Sequence, residues 1–254
     1  MELKGVSAVV TGAASGLGAA TVAELTGRGV HVLGLDLAAG IEKMGQGGVA
    51  GAEYVGADVT SEEDVQGALD RLDGAPPLRL VVNCAGIAPA KRVLSSSGPH
   101  PLDLFRRTIE VNLVGTFNVL RLAAARMAQG EPEEGPEGQR GLIVNTASVA
   151  AYEGQIGQAA YSASKGGVVG LTITAARDLA RNGIRVCTIA PGIVDTPMLA
   201  QLGDEVRDSL AAGVPFPKRL AQPREYAQLV VMLAEHDYLN GETIRMDAAL
   251  RMQP

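Results

Sequence analysis

Tyr161 and Lys165 stand four residues apart in the run Tyr161-Ser162-Ala163-Ser164-Lys165, thirteen residues after Ser148. On a helix, positions i and i+4 share a face, so a phenol and an ammonium would point into the same space. A free tyrosine, with a pKa of about 10, is a poor base near neutral pH. A neighbouring ammonium and a cationic nicotinamide would favour its phenolate, making proton exchange with an alcohol feasible. Ser148 would hydrogen-bond the substrate oxygen and hold it in line. Tyr161 and Ser148 are therefore the candidate substrate contacts, and the chemistry they suggest is hydride transfer at a secondary alcohol.

Hydride transfer needs a nucleotide, and the turn Thr11-Gly12-Ala13-Ala14-Ser15-Gly16-Leu17-Gly18 is placed to hold one. Glycines let backbone amides approach a pyrophosphate, and the helix opening at Gly16 adds favourable partial charge at its N-terminus. The turn follows a strand and opens a helix, and an acid, Asp36, lies eighteen residues beyond Gly18. A carboxylate there would accept hydrogen bonds from the adenosine ribose and repel a 2′-phosphate, which favours NAD. Leu37 and Ala14 offer no positive charge for that phosphate. Asp58-Val59 closes the third strand, where the acid would meet the adenine amino group or serve as a helix cap or turn acid. Asn83-Cys84-Ala85-Gly86 ends the fourth strand with residues small enough for a cofactor to pass.

The elements that must position these groups alternate along the chain. Apolar runs at 6–10, 30–35, 52–57, 78–83, 141–146, 184–190 and 242–246 read as strands. Helical patterns fill 16–28, a stretch from Ser61, 103–128, 159–182 and 223–235. Ser61 with Glu62, Glu63 and Asp64 is a helix start with a cap and acids at the positive end of the dipole. The expected fold is an α/β, Rossmann-type doubly wound parallel sheet of about seven strands, with helices on both faces and one domain over 1–254. Residues 91–101 and the acidic 130–141 break the rhythm and read as surface loops.

Composition narrows the function classes. A net charge of -6 disfavours non-specific nucleic-acid binding. Three scattered histidines suggest no metal cluster, and Cys84 and Cys187, both in apolar segments, read as reduced buried thiols. The chain enters a strand almost at once and has no apolar run near the ~18 residues of a membrane span, so a soluble, cytoplasmic protein is expected.

Taken together, the TGxxxGxG turn, Asn83-Cys84-Ala85-Gly86, Asn112, Ser148, Tyr161-x-x-x-Lys165 and Pro191-Gly192 resemble the short-chain dehydrogenase/reductase family over essentially the whole chain. The resemblance implies that Asn112 anchors a water relaying protons from Lys165, and that Lys165 also holds the nicotinamide ribose. It implies that Pro191, Gly192, the Val194 backbone and Thr196 pass the nicotinamide carboxamide, and that 195–218 forms a lid over the substrate. Segments 145–151, 154–161, 214–217, 240–245 and 251–254 are similar to members that oxidise 3-hydroxyacyl-CoA to 3-oxoacyl-CoA. Val194-Asp195 departs from them, since an aromatic-Gly pair is common there. An acyl-CoA substrate would call for basic groups at the cleft mouth, either Lys91 and Arg92 or Lys218 and Arg219, although both pairs also read as solvated surface charge. Alternatives within the resemblance are a 3-oxoacyl-carrier-protein reductase and a dehydrogenase of steroids or other secondary alcohols. A different class is an NAD-binding scaffold. Similar proteins are homotetramers, which implies subunit contacts through the last strand and tail and through the long helices. Their Ala-rich faces (Ala123, Ala124, Ala125, Ala175, Ala176) would permit close packing.

Overall fold

The structure, a computed structural model, describes residues 1–133, 138–200 and 203–253. In chain order the elements are β1 (Ser7–Thr11), α1 (Gly16–Thr26), β2 (His31–Asp36), α2 (Ala38–Met44), β3 (Glu53–Gly56), α3 (Glu62–Asp70) and β4 (Leu78–Asn83). A short antiparallel hairpin, β5 (Leu94–Ser95) and β6 (Gly98–Pro99), precedes α4 (Leu102–Ile109) and α5 (Thr116–Gln129). There follow β7 (Gly141–Thr146), α6 (Ala159–Leu179), β8 (Ile184–Pro191), α7 (Pro197–Ala200), α8 (Asp204–Ala212), α9 (Pro223–Glu235) and β9 (Thr243–Met246).

Seven strands form one parallel sheet in the order β3-β2-β1-β4-β7-β8-β9. β1, β4, β7 and β8 are buried at every position, as strands covered on both faces must be. Successive side chains divide between two cores. Ala8, Val10, Leu80, Val82, Leu142 and Val144 pack with Val22 and Leu25 of α1 and with Tyr226 and Val230 of α9. Val9, Val81, Ile143 and Val186 pack with Val65 of α3, Val119 and Ala123 of α5, and Ala175 of α6. Strand order reverses between β1 and β4, and a crevice at such a reversal, beyond the strands' carboxyl ends, is where doubly wound sheets bind ligands.

The expected helix starts hold at α3, where the Ser61 hydroxyl accepts the Asp64 amide at 3.1 Å. The single helix expected over 103–128 is instead α4 and α5 joined by a π-helical segment, Glu110–Gly115. Wider turns of this kind occur frequently at functional sites. Here the segment carries Asn112, and a Cβ on Gly115 would meet Val59 Cγ2 at 2.6 Å. The loop expected over 91–101 contains the β5–β6 hairpin, and α2 is a helix that the periodicity does not announce. Of the acidic loop, 134–137 lie outside the described residues, and its base is closed by the Glu133 amide on the Gln139 carbonyl at 2.8 Å. Residues 201–202 of the expected lid and Pro254 of the tail also lie outside them. Among the described residues no helix is long and apolar enough to cross a membrane.

Candidate active site

The Gly-rich turn is held at its limits of approach. A Cβ on Gly12, which has φ +65°, would lie 2.9 Å from the Ala85 nitrogen, and one on Gly18 would lie 2.1 Å from the Gly12 carbonyl oxygen. Only glycine lets the turn lie against the end of β4 while α1 closes onto the turn. Thr11 secures the same junction, since its Oγ1 accepts both the Cys84 and Ala85 amides at 3.1 Å. Asp36 reaches across from β2, its two oxygens accepting the Ala14 amide at 2.9 Å and the Leu37 amide at 2.8 Å. That uses two of roughly four acceptor positions on a carboxylate. Ser15 is exposed and its side chain makes no capping bond, and half-buried Leu17 packs on the core beneath.

The candidate proton-transfer groups meet above the ends of β4 and β7. Ser148 follows β7, caps a short 3-10 turn by accepting the Ala150 amide at 3.1 Å, and stands near enough to the Tyr161 phenol to favour its ionised form. Tyr161 and Lys165 share the first turns of α6, with the Lys165 ammonium 5.8 Å from the Tyr161 ring centre. Lys165 is buried and donates to the Thr146 carbonyl at 2.7 Å, which commits one of its three donors. Burial pulls its pKa from 10.5 to about 8. Burial also pushes the Tyr161 phenol above its ordinary 10.0, with Ser148 opposing. Lys165 bonds Thr146 rather than the phenol, and for Tyr161 the effect of burial is the larger one.

Asn112, fully buried, brackets three elements. Its Oδ1 accepts the Ile87 amide at 2.8 Å, and its Nδ2 donates to the Ile87 carbonyl at 2.8 Å and to the Ser164 hydroxyl at 3.0 Å. Ser164 in turn donates to the Tyr161 carbonyl at 2.7 Å. The strand that ends at Asn83 is thereby fixed against the first turn of α6. A Cβ on Gly86 would sit 3.1 Å from Asn112 Oδ1 and 3.6 Å from Lys165 Nζ, so this glycine keeps the approach to both open.

At Asp58 the structure shows the turn acid. One oxygen accepts the Thr60 amide and hydroxyl, at 2.9 and 2.8 Å. Val59 is buried against Gly115, and its carbonyl accepts Asn118 Nδ2 at 2.9 Å. The Cys84 thiol lies 3.7 Å from the Tyr226 hydroxyl, and burial raises its pKa.

From the far side, Pro191 ends β8, and Gly192 lets that chain lie against Asp247, whose Cα a Cβ would approach to 3.0 Å. Val194 is buried. Thr196 overlies the glycine turn, its Cγ2 3.5 Å from where a Gly16 Cβ would stand. These contacts join the Gly-rich turn to Asp36, Ala85 and Thr196, and Gly86 to Lys165, with Tyr161 next to the lysine and Ser148 next to Tyr161. The basic pairs are less committed to this cluster. Lys91 bonds Ser97 at 3.2 Å, Arg92 and Lys218 are exposed, and Arg219 is taken by both oxygens of Glu225 at 2.8 Å. Thr11, Thr146 and Tyr226, whose hydroxyl meets Thr146 Oγ1 at 2.7 Å, are the supporting residues that motif reading passed over. The first two end strands facing the crevice, and that position was the available signal.

The short chain dehydrogenase family profile matches residues 7–207. The chain is 54% identical over 261 residues to a Bos taurus protein named 3-hydroxyacyl-CoA dehydrogenase type-2, covering 100% of this chain and 98% of that one. A Drosophila melanogaster protein of the same name is 51% identical over 260 residues, covering 99% of this chain and 100% of its own. The crystal structure of 3-hydroxyacyl-CoA dehydrogenase type-2 from Mycobacterium avium superimposes with a TM-score of 0.92 at 46% identity, over 98% of this chain and 97% of that chain.

Proposed function

This chain belongs to the short-chain dehydrogenase family, and from that premise we propose that it oxidises 3-hydroxyacyl-CoA to 3-oxoacyl-CoA with NAD, reversibly. The observation that carries the reading is the convergence of Ser148, Tyr161 and Lys165 beside the glycine crevice, in a chain half identical to proteins bearing that name. The crevice fits a dinucleotide. A Cβ at Gly12 or Gly18 would collide with the Ala85 nitrogen or the Gly12 carbonyl oxygen in its wall, and Asp36 keeps acceptor positions free that would suit a ribose diol.

NAD supplies the hydride acceptor, and its cationic nicotinamide adds the positive charge that Lys165 does not deliver directly to the phenol. Tyr161 takes the hydroxyl proton as base. Ser148 donates to the substrate oxygen and fixes its direction. Lys165, anchored on Thr146, holds the nicotinamide ribose with its remaining donors, and Asn112 keeps the proton route beside it in place. Gly12, Ser15, Gly16, Leu17 and Gly18 line the pyrophosphate, Asp36 selects NAD over NADP, and Asp58, Val59, Cys84, Ala85 and Gly86 line the adenosine side. Pro191, Gly192, Val194 and Thr196 meet the nicotinamide end, and 195–218 covers the substrate.

The proposal extends to a cytoplasmic homotetramer. The outer faces of the long helices expose Val114, Phe117 and Ile173, apolar groups suited to a subunit contact. Of the alanines expected there, Ala125 is exposed and the other four need correction. Ala123, Ala124, Ala175 and Ala176 are buried against the sheet of their own chain, because those helix faces are the ones that cover it.

The test follows NADH oxidation with acetoacetyl-CoA, in parallel with NADPH and with Tyr161→Phe. Rapid NADH-dependent turnover, lost at least a hundredfold in Tyr161→Phe with NADH binding kept, is the expected result. Equal or better turnover with NADPH would overturn the cofactor assignment. Tight NADH binding without thioester turnover would move the substrate to steroids or other alcohols, or the role to a scaffold.

A further inference from the structure

Residues 193–196 carry two of the proposed nicotinamide contacts, and they are also the neck of the lid. The chain leaves at Thr196 into α7 and returns at Ala221, where the two limbs pair. The Asp195 amide donates to the Ala221 carbonyl at 2.8 Å, the Ala221 amide donates to the Ile193 carbonyl at 3.0 Å, and Val194 bridges Ala221 in parallel. Within the excursion, α8 has no buried side chain among its described residues, and φ at Gly203, before its first residue, is +83°. Packing therefore does little to fix α8. A charge does more, since Arg207 of α8 donates to Asp195 Oδ1 at 2.6 Å. With side-chain exposures of 29% and 31%, the pair is screened less than an open surface bridge.

We propose that Asp195 is a positioning residue that latches the lid helix α8, through Arg207, to the segment that meets the nicotinamide, so that lid pose and cofactor contact are set together. This rests on the dehydrogenase reading above. Asp195 touches no reacting atom in this scheme. Its carboxylate aligns α8 over the cleft while its amide keeps the neck closed. Breaking the pair loosens α8 without moving Ser148, Tyr161 or Lys165, so the defect falls on substrate capture.

The experiment compares Asp195→Asn, Arg207→Met and the charge-swapped Asp195→Arg/Arg207→Asp protein. Turnover is measured with acetoacetyl-CoA and NADH at low and high salt, and amide hydrogen exchange over 205–213 without substrate. Each single variant is expected to raise KM for the thioester about threefold to fivefold with kcat changed less than twofold, and to speed exchange in α8. High salt should raise the wild-type KM toward the variants and leave theirs unchanged, and the swap should restore both KM and protection. Unchanged KM and exchange in the single variants, or a swap no better than either, would overturn the latch. Should wild type bind NADH yet leave acetoacetyl-CoA untouched, the substrate reading fails, and the exchange comparison still decides the latch.

Discussion

The two walls of the crevice are built on opposite principles. On the cofactor side the main groups are fixed by close backbone contacts and by bonds to backbone near the carboxyl ends of the strands. Gly12 and Gly18 lie at contact distance of neighbouring main chain, and Thr11, Asp36 and Asn112 each bond two or more separate backbone or hydroxyl groups. On the substrate side α8 is exposed or half-buried throughout its described residues and is tied down by a short ladder and the Asp195–Arg207 pair. Hydride transfer tolerates little error in position, whereas acyl chains vary, so rigidity suits the first wall and adaptability the second. The comparison can be broken by substitutions that treat both walls alike.

The largest effect is expected from matched glycine-to-alanine changes. In Gly18→Ala the new methyl would stand 2.1 Å from the Gly12 carbonyl oxygen, a backbone atom with nowhere to go. A loss of about 3 kcal/mol, or about 6 °C in Tm, and at least a tenfold weaker NADH affinity are expected. Gly213 closes the lid helix with φ -73°, and its added methyl would meet the Leu210 and Ser209 carbonyls at 3.4 and 3.9 Å, ordinary contact distances. Gly213→Ala is expected to stay within about 0.5 kcal/mol of wild type, because alanine adopts that backbone freely. Thermal unfolding and NADH fluorescence titration measure both, and similar losses in the two proteins would erase the distinction between the walls.

The same distinction governs how much was legible in the sequence. The seven strands and the helices covering them follow from apolar runs and caps such as Ser61, because a sheet buried on both faces leaves a pattern in residue type. Gly12, Gly18, Asp36 and the Tyr161–Lys165 pair are legible because their chemistry requires those residues at those spacings. The π-helical turn at Asn112 is not legible, since it arises from tertiary brackets to Ile87, Ser164 and Val59 that no local pattern announces. The alanine faces were misassigned for a related reason, because an alanine stripe suits helix-on-sheet packing as well as helix-on-helix. The lysine's partner, the Thr146 carbonyl, is a backbone atom and has no residue signature at all.

That buried lysine gives a second, smaller contrast between function and stability. The Lys165 pKa is about 8 in the folded protein against 10.5 when unfolded. Between those values the unfolded chain binds more protons, so this group's contribution to stability improves as pH rises from 8 to 10.5. At pH 7 it is charged in both states, and its burial costs up to about 3 kcal/mol. Lys165→Met is therefore expected to be inactive yet no less stable than wild type at pH 7, with wild type gaining on it as pH climbs through that window. Cys84 and Tyr161, both shifted upward by burial, act in the opposite sense, and the Cys84 thiol is held down in part by the Lys165 charge. The difference between the two denaturation curves thus reports Lys165 together with its coupling to Cys84. A difference independent of pH would mean that the lysine is not desolvated as the geometry implies.

The smallest effect should come from the return limb of the lid. Glu225 in the first turn of α9 accepts the Gln222 amide at 2.7 Å and holds Arg219 with both oxygens, which pulls its pKa to about 2. The pair is exposed, 48% at Arg219 and 39% at Glu225, so solvent removes most of what that shift would suggest. Glu225→Gln keeps a capping acceptor and loses the charge. It is expected to cost under about 1 kcal/mol, near 2 °C in Tm at pH 7. A depressed carboxyl stabilises above its unfolded pKa of 4.5 and stops doing so as pH falls toward 2, so the difference from wild type should fade across that interval. The thioester KM should not move, because the lid helix is held through Asp195 rather than through the limb that Arg219 anchors. A KM rise matching that of Asp195→Asn would place the tether at the wrong end of the lid.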